Sequence, residues 1–148
     1  PLRYGYGVDY EDGTTYRRNM DRVSEKWNSA KKLVPAPEFY QENDSSEFGV
    51  LFFGTSAYAA EEAIELLKQD GYALDAMRVR AFPFGKSFEN FVNAHEKIFV
   101  IEQNRDAQFR SLMMIELGTN PEKLVSVLNY DGMPITADFI FNRIRAGL

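Results

Sequence analysis

Apolar positions in this chain change period several times, and each change marks an element. From Thr15 to Val34 the residues Met20, Val23, Trp27, Ala30 and Val34 recur every three or four positions, placing them on one face of a helix. Pro35 and Pro37 stop it. Glu38 to Gln41 reads as a short edge strand, paired through the polar turn ENDSSE with an apolar strand over Phe48 to Phe53. Ser56 stands where a helix N-cap belongs; Ala60, Ala63, Ile64 and Leu67 then share a face, and Gly71 ends that helix. A strand through Leu74 to Ala81 is closed by Pro83, and Ser87 opens a helix with Phe88, Phe91, Val92 and His95 on one stripe. Ile98 to Ile101 is apolar at every position, the pattern of a strand covered on both faces. It leads into a helix from about Asp106 to Leu117, terminated by Gly118. Leu124 to Leu128 is the last apolar strand, and Thr136 caps a final helix carrying Ala137, Ile140, Phe141 and Ile144.

This alternation predicts an α/β fold with a mostly parallel sheet between helical layers, made mixed by the hairpin at its start. Residues 1–36 read as an irregular Gly- and Tyr-rich arm followed by the amphipathic helix, and residues 37–148 as the α/β domain. With 148 residues, 45% of them hydrophobic, one substantial core is expected.

Charge and composition then remove whole classes of function. A net charge of -5 argues against a general nucleic-acid surface, which needs a basic face to release counterions. No run approaches the roughly 20 apolar residues that span a bilayer, and no signal peptide opens the sequence. The expected location is the cytoplasm, without membrane contact. The absence of cysteine excludes disulfides, thiolate zinc sites and cysteine-ligated clusters within the chain. Arg17, Arg18, Arg22, Lys26, Lys31 and Lys32 make the outer faces of the first helix basic, either as a solvated surface or as a dock for an acidic neighbouring domain.

Few side chains carry chemistry of their own. The turn Gly54-Thr55-Ser56-Ala57 lacks the glycines of a dinucleotide fingerprint, so helix capping accounts for its hydroxyls better than anion binding does. His95, the single histidine, lies on an apolar stripe near a helix end and reads as structural. Glu61, Glu62 and Glu65 suit the first turns of a helix. Arg80-Ala81-Phe82-Pro83-Phe84 follows a strand and reads either as a protein interface or as a loop that buries both phenylalanines. Tyr130-Asp131-Gly132-Met133-Pro134 is a turn by composition. The densest polar group, Glu102 to Asp106, sits at the carboxyl end of a buried strand, where ligands and partners meet open α/β sheets.

In combination these segments are more specific. A glycine-hydroxyl turn, then RAFPF at Arg80 to Phe84, then EQNRDAQ at Glu102 to Gln108, then YDGMPIT at Tyr130 to Thr136 resembles the C-terminal domain of the α subunit of 2-oxoacid:ferredoxin oxidoreductases, most closely the 2-oxoglutarate type. The resemblance extends upstream to Glu11-Asp12-Gly13 and the helix RRNMDRVSEKW, covering nearly the whole chain. Many members carry glycine before the final Gln of the Asn-x-x-Gly-Gln segment; Ala107 stands there, a departure that favours the 2-oxoglutarate-like branch.

The resemblance implies a three-layer α/β/α unit with a mixed sheet of about five strands, like the transketolase C-terminal domain. It implies a parent oxidoreductase in which thiamine diphosphate attacks a 2-oxo carbon and an iron-sulfur cluster passes electrons to ferredoxin, while coenzyme A accepts the acyl group. The diphosphate, magnesium and cluster ligands would belong to other domains or to the β subunit. This chain would then be neither catalytic nor metal-binding alone, and would serve assembly with the preceding α domain and the β subunit. The positions expected near an interface or ligand are Gly54, Thr55, Ser56, Arg80, Glu102, Asn104, Arg105 and Gln108, since fixed polar groups at a helix N-terminus can order a neighbouring backbone. The competing reading is an independent small-molecule or nucleotide-binding α/β domain without catalysis.

Overall fold

A computed structural model describes residues 12–41 and 46–148. The expected N-terminal arm and most of the ENDSSE turn lie outside the described residues.

Asp12 starts the first helix, α1 (Gly13–Ala30), by accepting from the backbone N–H groups of Thr14 and Thr15, each at 3.1 Å. The cap places the start earlier than the apolar period alone suggested. The regular helix also ends earlier, and residues 31–34 form turns ahead of Pro35, which disfavours helical geometry in the residue before it. Trp27 packs edge-on against Phe82 at 5.0 Å and remains 40% exposed.

Beyond α1 the elements run β1 (Glu38–Gln41), β2 (Phe48–Phe53), α2 (Ala57–Gln69), β3 (Asp75–Val79), α3 (Lys86–Ala94), β4 (Lys97–Glu102), α4 (Gln108–Leu117), β5 (Leu124–Leu128) and α5 (Ala137–Arg145). The sheet order is β1-β3-β2-β4-β5. All neighbours are parallel except β1, which runs antiparallel to β3 with Glu38 opposite Arg78 and Phe39 opposite Met77. The expected β1–β2 hairpin is therefore wrong. Both edges of β2 are occupied, by β3 from Gly49 to Phe53 and by β4 from Phe48 to Leu51. Glu38 instead lies beside two arginines of the β3 segment, 3.4 Å from Arg78 and 3.0 Å from Arg80.

The central strands β2 and β4 bury both faces, as their continuous apolar runs predicted. Val50, Phe52, Ala76, Phe99, Ile101 and Val127 pack with Ala60, Ile64 and Leu67 of α2 and with Ile140 and Ile144 of α5. On the opposite face Leu51, Met77, Ile98 and Val100 meet Phe88, Phe91 and Val92 of α3 and Met113 of α4. The result is the three-layer α/β/α arrangement expected. Gly49 permits its close approach on the α3 side, because a Cβ there would sit 3.0 Å from the Phe91 ring and 3.1 Å from His95. His95, 3% exposed, lies 2.7 Å from the Phe91 carbonyl oxygen through Nδ1 and 2.9 Å from Asp75 through Nε2, tying α3 to β3.

Two expected helix starts need correction. Ser56 makes no side-chain cap bond; Gly54–Ser56 form a short 3-10 turn that runs into α2. Ser87 falls inside the first turn of α3, whose N-cap is Gly85. Thr136, by contrast, caps α5 by accepting from the Phe139 N–H at 3.2 Å. Connections from β2 pass to β3 on one side, and the chain then crosses to β4 on the other. The carboxyl ends of β2 and β4 thus flank the topological switch point, where open α/β sheets form their crevice.

Candidate functional site

At that switch point the β2 and β4 strand ends are joined side chain to side chain. Gln103 Nε2 donates to Thr55 Oγ1 at 3.0 Å and to Ser56 Oγ at 3.1 Å. Ser56 is buried and Thr55 exposed, so the amide lies across the crevice and holds both hydroxyls to the β4 end as acceptors. Gly54, at φ 59°, forms the exposed lip of this turn. Gln103 was not among the expected site residues. Its signal was adjacency, since it immediately follows the strand whose end was singled out.

The remaining polar groups divide sharply between inside and outside. Glu102 is 0% exposed. Its carboxylate accepts from the N–H of Phe109 at 2.7 Å, the N–H of Arg110 at 3.0 Å and Asn104 Nδ2 at 2.8 Å. Those two N–H groups belong to the first turn of α4, so Glu102 supplies from the strand the cap that α4 lacks at its own N-cap, Ala107. Asn104 Oδ1 accepts from the N–H groups of Asp106 at 3.1 Å and Gln108 at 3.3 Å, holding the same loop. The backbone that these fixed polar groups order is the chain's own. Glu102 therefore shapes the edge from beneath and is not presented to a partner.

Arg105 and the side chain of Gln108 stay outward; Arg105 is 74% exposed in its side chain and pairs, among the described residues, with neighbouring Asp106 at 2.7 Å. Arg80 lies farther along the same sheet end, held by Glu38. Its flanking segment splits the two readings offered by the sequence: Phe84 is 3% exposed and stacks on Phe88 at 4.2 Å, whereas Phe82 is 36% exposed.

Beside the Gln103 bridge a groove of about 570 Å³ is lined by Thr55, Gln103, Asn129, Tyr130, Gly132, Met133 and Pro134. Asn129 Nδ2 donates to the Met133 carbonyl at 3.0 Å, and Asp131 Oδ1 accepts from the Met133 N–H at 2.9 Å. These bonds fix the turn while Tyr130 and Met133 remain 63% and 68% exposed. An ordered loop presenting an aromatic ring and a thioether is a surface suited to protein contact. Among the described residues no group of three or more His, Asp or Glu gathers as metal ligands, and the chain has no cysteine. No helix of the described residues is long and apolar enough to cross a membrane.

Comparison with protein-family models finds none that matches the chain. A curated relative, 2-oxoacid:ferredoxin oxidoreductase 2, subunit alpha, from Aeropyrum pernix, is 26% identical over 134 residues, covering 88% of this chain and 21% of the relative. Among solved structures, 2-oxoglutarate:ferredoxin oxidoreductase from Magnetococcus marinus, with 2-oxoglutarate, coenzyme A and succinyl-CoA bound, superposes with a TM-score of 0.80. That match has 20% identity and covers 95% of this chain but 24% of the other. A split-gene transketolase, an inactive β4 tetramer, matches with a TM-score of 0.58 and 15% identity over 75% of this chain and 40% of its own. The chain thus spans about one fifth of the length of its curated relative. In sequence the chain is similar to part of a 2-oxoacid:ferredoxin oxidoreductase α subunit, and its three-layer α/β/α fold is like that of the matched oxidoreductase and transketolase structures.

Proposed function

We propose that the chain is an assembly domain of a 2-oxoacid:ferredoxin oxidoreductase, with 2-oxoglutarate as the favoured substrate of the complete enzyme. The observation that carries this reading is the alignment of 88% of the chain with 21% of an α subunit. The parent's thiamine diphosphate, magnesium and iron-sulfur cluster would be held by other domains or by the β subunit, coenzyme A would accept the acyl group, and ferredoxin would receive the electrons. The work of this domain is to present a rigid strand-end surface to the preceding α domain and the β subunit. Gly54, Thr55, Arg105, Gln108, Tyr130 and Met133 form the outward part of that surface. Glu102 and Asn104 position it from beneath, and Gln103 bridges it across the crevice.

The test is co-expression of the complete α chain with its β subunit, followed by size-exclusion chromatography and turnover of 2-oxoglutarate with ferredoxin. Replacing Arg105 and Tyr130 by Ala is expected to lower the recovered α/β complex at least about tenfold, the scale of two lost interface anchors. The isolated domain should keep its melting temperature. Unchanged assembly and turnover would refute the assignment of this surface.

A further inference from the structure

A second concavity lies between the end of α1 and the start of α3, with a volume of about 350 Å³. It has only Arg80 in common with the expected site residues. Its walls include Lys31, Lys32, Arg80 and Lys86, and among the described residues no acidic one lines it. That concentration of cations occurs in a chain whose net charge is -5.

Two of these charges are already engaged: Arg80 with Glu38 at 3.0 Å, and Lys86 with Glu89 at 3.2 Å on the exposed face of α3. Lys31 and Lys32 pair with no carboxylate among the described residues. Lys31 and Lys32 bring positive charge to the same wall, and a dianion at the cleft mouth would be attracted by both. A phosphate carries about -1.5 to -2 near neutrality, the charge needed to match both. The first turn of α3 reaches the same mouth at Gly85, Lys86 and Ser87, and it has no side-chain cap to occupy its N–H groups.

The rest of the wall is apolar, formed by Val34, Pro35, Val79, Pro83, Phe84 and Phe88. A free phosphate ion would leave that surface wet. A ligand with an apolar or aromatic body would cover it, and the cleft falls within the roughly 300–1,000 Å³ range of small-molecule sites. We propose that this cleft binds a small organic phosphate, with its charged groups on Lys31 and Lys32 and its body against Val34, Pro35 and Phe84. This inference goes beyond the assembly reading, and either one stands if the other fails.

Adenosine diphosphate is a suitable probe and adenosine its neutral control, titrated into the 148-residue chain by calorimetry. Trp27, the single tryptophan, rests on Phe82 next to the cleft and gives an independent fluorescence readout. Saturable one-to-one binding of the diphosphate is expected, with adenosine at least about tenfold weaker. The paired substitution Lys31→Glu and Lys32→Glu should weaken the diphosphate at least about tenfold while circular dichroism stays unchanged. Lys26→Glu, on the same helix but outside the cleft, should leave binding as it was. The proposal is overturned by equal affinity for adenosine and its diphosphate, by absence of saturation, or by a paired variant no weaker than Lys26→Glu. Binding of a poly-glutamate peptide that the diphosphate cannot displace would also overturn it, assigning the cleft to a polypeptide.

Discussion

Ala107 sits in the left-handed region, at φ 49° and ψ 49°, between the Asn104 loop and the first turn of α4. An L-residue there costs roughly 1–2 kcal/mol relative to ordinary helical geometry. Glycine removes that cost but carries about 0.5–1 kcal/mol more unfolded-state entropy, so the two effects partly cancel. Ala107→Gly should therefore raise stability by about 0.5–1 kcal/mol, read as a higher midpoint in urea unfolding with an unchanged slope. An unchanged or lower midpoint would show that the surrounding bonds relieve the alanine. The position was legible in the sequence as a departure from the Asn-x-x-Gly-Gln pattern. Its conformation was not, because a single alanine carries no signal for positive φ. Glu102 was misread for a related reason: an acid ending an apolar strand looks exposed until α4 returns above it and aims two N–H groups at its carboxylate.

Helix α4 depends on that carboxylate more than on its own composition. Its N-cap, Ala107, offers no side-chain acceptor, and the N–H groups of Phe109 and Arg110 have Glu102 as their partner. Glu102→Gln keeps the volume but turns one acceptor into a donor, so one partner inside a fully buried site is left unsatisfied. A loss of about 1–3 kcal/mol is expected, with faster amide exchange concentrated at the start of α4. Uniform loss of protection across all helices would contradict the local capping role. Most elements were legible because their periods are long and clean: the β4 run of apolar residues and the α5 stripe both appear where expected. The partner of β1 was not. Neighbouring strands in sequence usually neighbour in space, and nothing local shows that both edges of β2 are taken or that Glu38 meets Arg78 and Arg80.

The described residues form a continuous three-layer core with α1 lightly packed against it. Asn19 is the only buried residue of α1, whereas Val23 and Trp27 are each 40% exposed and Tyr16 is 52% exposed. An amphipathic helix that leaves its apolar stripe half open contributes little to the core beneath it, and its ring contact with Phe82 is worth about 0.5–1.5 kcal/mol beyond area burial. The same helix end supplies Lys31 and Lys32 to the basic cleft. Stability and cleft formation should therefore separate on truncation. We propose residues 37–148 as the folding unit. Deleting residues 1–36 should leave a cooperatively unfolding domain that loses no more than about 2 kcal/mol, while diphosphate binding falls at least about tenfold with the two lysines. Denaturant unfolding and calorimetry on the same truncated protein measure both. A truncated chain that failed to unfold cooperatively would make α1 part of the core; one that bound the diphosphate as tightly as the full chain would remove Lys31 and Lys32 from the site.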